Sequence, residues 1–151
     1  MQQLSFPEYQ FRFRKEQNKV FIFDIIRRKY VLLQPEEWVR QHVVHLLVLY
    51  KHYPASFINV EKKIVLNGLT KRYDVVVFLP DGSIFLVIEC KAPSVALNQE
   101  VFDQVAQYNQ VLGAPFLMVT NGLTHFFCQT DYQNGQYIFL NDLPDYPKGQ
   151  K

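Results

Sequence analysis

The segment Val87-Ile88-Glu89-Cys90-Lys91-Ala92 closes a nearly unbroken apolar run, Ile84-Phe85-Leu86-Val87-Ile88. Such a run, bounded by Gly82 and Pro93, reads as a buried strand. Charge is costly there, because an ion taken out of water loses several kcal/mol unless it is paired or binds a metal. Glu89 and Lys91 are two residues apart, so both leave the same face of the strand while Cys90 leaves the other. Upstream, Asp74 interrupts a second apolar strand, Tyr73-Asp74-Val75-Val76-Val77-Phe78-Leu79. Three charges in two apolar strands are either a site or a strand end reaching water.

The hairpin through Asp81-Gly82 can be counted. A two-residue loop pairs Pro80 with Ser83, and a four-residue loop pairs Leu79 with Ile84. Both set Asp74 opposite Glu89, whereas a three-residue loop sets Tyr73 there. Directly opposed residues have Cβ atoms about 4.5–5.5 Å apart, and like charges so placed repel. A proton or a cation relieves that repulsion. Two carboxylates with a backbone carbonyl and waters suit a hard, oxygen-preferring ion such as Mg²⁺, and Lys91 is placed to stabilise developing negative charge or position a water. The competing reading is a Glu89–Lys91 ion pair at a fraying strand end.

The chain has 151 residues, of which 48% are hydrophobic, a length and composition that suit one folded domain. We expect that domain over residues 1–142, with a loose tail over 143–151 that holds Pro144, Pro147 and Gly149. The formal net charge of +2 is too small to indicate nucleic acid unless the charge is locally concentrated. Cys90 and Cys128, the only cysteines, form neither a disulfide framework nor a metal-type spacing. No apolar run approaches the roughly 20 residues of a membrane span, so no membrane partner is expected and the location expected is cytoplasmic.

Taken in order, residues 1–8 read as a loose leader. Phe11-Arg12-Phe13-Arg14 and Val20-Phe21-Ile22-Phe23 flank a turn, which predicts an N-terminal hairpin with one wet, basic face. Arg27-Arg28-Lys29 is a short basic cluster leading into Tyr30-Val31-Leu32-Leu33. Gln34-Pro35-Glu36-Glu37-Trp38 starts a helix, with proline in the first turn and two acids at the positive end of the dipole. That helix is expected to reach about His52. His42 and His45 share a face at i, i+3 but join no Cys or Asp pattern, so a metal-ligand role is not expected of them. Strands are expected over 57–66, 71–79, up to Lys91, and 114–120, with Asn67-Gly68 a hairpin turn. A second helix covers 98–112 and ends at Gly113. Asn121-Gly122 turns into a strand over 123–129, and 136–140 adds a last one.

These residues resemble a known family. Asp74 followed by Glu89-Cys90-Lys91 matches the Asp…(Asp/Glu)-x-Lys signature of the PD-(D/E)xK nuclease superfamily. More narrowly, Pro35-Glu36-Glu37-Trp38-Val39-Arg40-Gln41, Arg72-Tyr73-Asp74, Glu89-Cys90-Lys91-Ala92-Pro93, Gln104-Val105-Ala106-Gln107-Tyr108 and Thr120-Asn121-Gly122 are similar to the N-terminal nuclease domain of type I restriction enzyme motor subunits. The similarity covers about residues 30–130.

The resemblance implies an α/β fold of the restriction-endonuclease type, with a mixed central β-sheet flanked by helices. It implies a Mg²⁺-dependent DNA endonuclease, with Mn²⁺ able to substitute. DNA is the implied partner, with other restriction or DNA-processing subunits as companions. Asp74, Glu89 and the backbone carbonyl of Cys90 are the implied metal ligands, and Lys91 the residue assisting in-line attack. Glu37 matches the helical acid, with Glu36 the register alternative and dipole placement the plainer explanation of either. Gln104 and Tyr108, at i, i+4 on one helix face, match a Gln-x-x-x-Tyr motif that orients the site or touches the substrate backbone; Tyr108 is otherwise a core residue. The chain has no Gly-x-x-x-x-Gly-Lys-Ser/Thr phosphate loop, so no ATP site is expected. Two other functions compete: a non-cleaving DNA-binding module of the same fold, gripping phosphate through Arg12, Arg14, Arg27, Arg28, Lys62, Lys63 and Lys71, and a protein-interaction domain.

Overall fold

A computed structural model describes residues 1–148, in which the strands form two sheets. The first is an antiparallel meander of β1 (Phe13–Glu16), β2 (Lys19–Asp24) and β3 (Lys29–Leu32). The expected hairpin thus gains a third strand, because Tyr30, Val31 and Leu32 pair with Phe23, Ile22 and Phe21. Its basic residues lie on aromatic faces, with Arg12 over Phe23 at 4.4 Å and Arg14 over Tyr30 at 4.3 Å, which anchors their stems while their charge stays exposed.

The second sheet holds β4 (Ile58–Leu66), β5 (Leu69–Phe78), β6 (Ile84–Cys90), β7 (Phe116–Thr120), β8 (His125–Asp131) and β9 (Gln136–Leu140), in that spatial order. All neighbours are antiparallel except β6 and β7, which run parallel across the crossover helix α2 (Gln99–Leu112). The fold is therefore the expected mixed sheet flanked by helices.

The apolar runs of β5, β6 and β7 are continuous because both sheet faces are covered. Val75, Val77, Leu86, Ile88 and Met118 pack with Val39, Val43 and Val44 of α1 (Pro35–His45). Val76, Val87, Leu117 and Val119 pack with Phe102, Val105 and Ala106 of α2. The predicted end of α2 at Gly113 forms as written. The Asn98 side chain accepts the Val101 N–H at 2.9 Å, and Gly113 closes α2 at φ 77°. Asn67 and Gly68 turn at φ 51° and 78°, the positive pair that a tight hairpin requires. The first helix ends earlier than expected, at His45, and continues as a π-helical turn over Leu46–Tyr50.

Both chain ends differ from expectation. Leu4 is buried in the core, the Ser5 N–H bonds the Gly122 carbonyl at 2.7 Å, and the Trp38 indole N–H bonds the Gln2 carbonyl at 2.7 Å, so the leader is anchored to the body. Of the expected tail, Leu143 is buried and the Tyr146 hydroxyl donates to the Phe78 carbonyl at 2.9 Å, while Asp145, Pro147 and Lys148 are exposed. Apolar side chains at 143 and 146 outweigh the prolines there. Residues 149–151 of that tail lie outside the described residues.

Candidate active site

The turn between β5 and β6 is neither even-numbered loop. The Leu79 N–H bonds the Ser83 carbonyl at 2.8 Å and the Gly82 N–H bonds the Leu79 carbonyl at 2.9 Å, leaving Pro80-Asp81-Gly82 as a three-residue loop. That loop alone would bring Tyr73 across from Glu89. A bulge reverses the shift: Phe78 pairs with Ile84 but Val77 pairs with Leu86, so Phe85 is the extra residue. Val76↔Val87 and Val75↔Ile88 follow, and one step further Asp74 lies across from Glu89.

At Asp74 the alternation of β5 breaks. Tyr73 joins the core beneath α2, while Val75 and Val77 join the core beneath α1. On β4, Glu61 falls at the same level, between the pairs Val60↔Val75 and Lys62↔Tyr73, and adopts φ 53°. These departures turn the acids toward the N-terminus of α1. A hollow of about 200 Å³ results, lined by Glu36 and Arg40 of α1, Glu61 of β4, Arg72, Tyr73 and Asp74 of β5, Glu89 and Cys90 of β6, and Lys91.

Asp74 is buried and held from two sides. Its Oδ2 accepts the Cys90 N–H at 2.8 Å, and its Oδ1 accepts Arg40 Nη2 at 2.8 Å. Glu89 accepts Lys71 Nζ at 2.8 Å, and that ammonium also lies over the rings of Tyr73 and Tyr108 at 4.4 and 4.7 Å. Burial pushes Glu89 up to about 7, with Asp74 adding to the rise and Lys71 opposing it. Glu36 is raised in the same direction, first by burial and then by Asp74, against Arg40 and Lys91. Lys91 makes no ion pair among the described residues, and its backbone N–H is fixed to the Thr120 carbonyl at 2.8 Å.

Behind this row lies a second layer of charge. Arg40 Nη1 bonds Glu37 at 2.9 Å and approaches Glu61 at 3.6 Å, while Nη2 approaches Glu36 at 3.3 Å. Arg27 bonds Asp24 at 2.6 Å, Glu37 at 2.7 Å and Glu61 at 3.0 Å. Burial favours the neutral form of Asp24, but the backbone and side chain of Arg27 and the Gln41 amide outweigh it and hold its carboxyl below the ordinary range. Six carboxylates, at Asp24, Glu36, Glu37, Glu61, Asp74 and Glu89, thus lie among five cations, at Arg27, Arg40, Lys71, Arg72 and Lys91, which leaves a formal excess of one negative charge. The donors are hard carboxylate oxygens, the ligand type Mg²⁺ favours. Among the described residues no three His, Cys, Asp or Glu side chains are arranged as a ready metal cage. The acid oxygens are engaged by Arg40, Lys71 and the Cys90 N–H instead.

The family model for the N terminus of type I restriction enzyme R proteins matches residues 35–144. The chain belongs to this family. Comparison with curated protein sequences gives no match. A solved fragment described as an HsdR subunit of a type I restriction enzyme from Vibrio vulnificus YJ016 is 24% identical, with a TM-score of 0.39. The alignment covers 58% of this chain and 18% of that one.

Within this R-protein N-terminal domain, Asp74, Glu89, Cys90 and Lys91 line one hollow. Glu36, rather than Glu37, faces that hollow. Glu37 is one residue further round α1 and points into the Arg27–Arg40 layer, where Gln41 also reaches it at 3.3 Å. Tyr108 reaches the acids only through Lys71. Gln104, four residues earlier, lines a separate groove along α2 with Gln107 and Gln110. Two residues named as phosphate grips are otherwise engaged, Arg27 inside the ion network and Lys71 on Glu89. His42 and His45 are buried and donate Nδ1–H to the carbonyls of Trp38 and Gln41 at 2.8 and 2.7 Å. The sequence reading overlooked Arg40, Glu61 and Asp24 as parts of the network. Asp24 carried a visible signal, a lone acid within the apolar run Phe21-Ile22-Phe23-Asp24-Ile25-Ile26.

No helix among the described residues is long and apolar enough to cross a membrane.

Proposed function

We propose that this domain is a Mg²⁺-dependent DNA endonuclease acting at the hollow between Asp74, Glu89 and Lys91. The observation that carries the reading is the juxtaposition, in a chain of the restriction R-protein family, of two buried opposed carboxylates with a lysine that makes no ion pair among the described residues. Asp74 and Glu89 would hold the ion, with the Cys90 carbonyl and Glu36 as further oxygen donors. The bound ion supplies Lewis-acid activation of the phosphate. Lys91 orients the attacking water and offsets charge that develops on the phosphate oxygens. Lys71 steadies Glu89 and is itself steadied by Tyr108. Phosphate grip falls to the exposed Arg12, Arg14, Arg28, Lys62 and Lys63, with Arg72 at the rim of the hollow. DNA and further restriction subunits are the partners this reading calls for.

The test is nicking of supercoiled plasmid in Mg²⁺ or Mn²⁺. Asp74→Ala and Lys91→Ala should abolish it while circular dichroism reports an unchanged fold. Cutting that survives both substitutions refutes the assignment. The existing pairing of both acids with Arg40 and Lys71 favours the second reading, a DNA-binding domain of this fold that does not cut. That reading predicts salt-sensitive DNA binding and no metal-dependent turnover.

A further inference from the structure

Arg40 is buried, and its guanidinium lies among Glu36, Glu37, Glu61 and Asp74. Asp74 has its Oδ2 committed to the Cys90 N–H, so Oδ1 is the oxygen it can offer outward, and Arg40 Nη2 already sits on it. A divalent ion sharing that oxygen would stand within a few ångströms of a guanidinium, which repels it. Arg40 has alternatives: with Asp74 given up, Glu37 and Glu61 remain within its reach. Its Nε is also buried without a hydrogen-bond partner among the described residues, so its present seat leaves one donor unused. Arg27 lacks this freedom, since Asp24 fixes both its side chain and its backbone N–H. Lys71 bonds Glu89 and not Asp74.

We propose that Arg40 is the exchangeable counter-ion of the site: it neutralises Asp74 when no metal is bound and must release Oδ1 for a metal to enter. This rests on the metal-dependent reading above and adds its regulation. Cation affinity is set by competition with an internal arginine, and a DNA phosphate, which guanidinium binds well, would draw Arg40 off and couple loading to substrate.

The experiment is Mn²⁺ titration of the whole chain at pH 8 without DNA, following the free-ion paramagnetic resonance signal. Arg40→Gln should bind Mn²⁺ about tenfold or more tightly than the parent, the factor associated with one charge-assisted hydrogen bond. Asp74→Asn placed in the Arg40→Gln background should remove that gain. Equal or weaker Mn²⁺ binding by Arg40→Gln overturns the proposal while leaving the nuclease reading intact if the parent still cuts plasmid. Absence of binding in every variant, together with absence of cutting, overturns both. A second measurement needs no arginine substitution in the protein measured. In a Mg²⁺ titration of the parent with a short duplex bearing nonhydrolysable phosphorothioate linkages, the Arg40 guanidinium nitrogen resonances should shift in step with saturation. Saturation without any such shift overturns the exchange.

Discussion

Replacing Glu89 by glutamine keeps the side chain's size and its acceptor for Lys71 but removes the charge whose burial beside Asp74 is costly. In the folded chain this carboxyl is pushed from an ordinary 4.5 up to about 7, so the fold takes up a proton more readily than the unfolded chain does. The sign follows from that. Below pH 4.5 both states are protonated and no penalty exists; between 4.5 and 7 the penalty grows; above 7 it is fully present. At about 1.4 kcal/mol per pH unit, the cost reaches roughly 3 kcal/mol at pH 8. Urea unfolding in EDTA, run from pH 4.5 to 8.5 on the parent and Glu89→Gln, reads this directly. The difference between the two proteins cancels the titrating groups that do not interact with Glu89. Glu89→Gln should become the more stable by about 3 kcal/mol relative to the parent as pH rises through that window. Parallel curves would refute the placement of a buried, repelled carboxylate at Glu89. Adding Mg²⁺ at pH 8 should recover stability in the parent and not in the variant, because only the parent offers both carboxylates.

Other parts of the structure are open to similar tests. Arg27→Met leaves Asp24 and Glu37 buried without their main partner and should cost about 3–5 kcal/mol in chemical denaturation. Gly122→Ala should lower stability by about 1–3 kcal/mol in thermal melts, because a Cβ there would meet Leu4 Cδ2 at 2.9 Å and Val39 Cγ2 at 3.1 Å, at φ 88°. His42 and His45 are held below the ordinary histidine range, chiefly by burial. The stability they lend is present above about pH 6.5 and is lost as pH falls below it, so His45→Gln should flatten the acid limb of the stability curve.

Much of this arrangement could be read from residues alone, for reasons that differ by element. Gly113 and Asn67-Gly68 are local signals, whose backbone consequences need no tertiary context. The strands through Asp74 and Glu89 were legible because burial on both faces leaves an apolar run in which a charge stands out. The turn between them was not legible. Counting a hairpin assumes an unbroken ladder, and the three-residue loop together with the Phe85 bulge reached the expected Asp74–Glu89 register by a route that no residue announces. The choice between Glu36 and Glu37 also lay beyond the sequence, since one step round a helix turns a side chain by about 100° and only the docking of α1 fixes which acid meets the hollow. Arg40 was hidden for a related reason. At i+3 and i+4 from the two glutamates it reads as a surface helix pair, and its reach to Asp74, 34 positions away, depends on the packing of α1 against β5. The ends of the chain were misjudged because polar and proline residues outnumber the few anchors, Leu4, Leu143 and Tyr146, that tie them down.

The most direct test of the proposed function is single-turnover cleavage of a DNA duplex at saturating Mn²⁺ by the parent and by Lys91→Ala. Lys91 is the right position because it makes no ion pair among the described residues, so its loss breaks no salt bridge to Asp74 or Glu89. Cleavage should fall about a hundredfold or more while DNA and Mn²⁺ affinities stay within a fewfold. Undiminished cleavage by Lys91→Ala, or no cleavage by the parent under the same conditions, would contradict the proposed function.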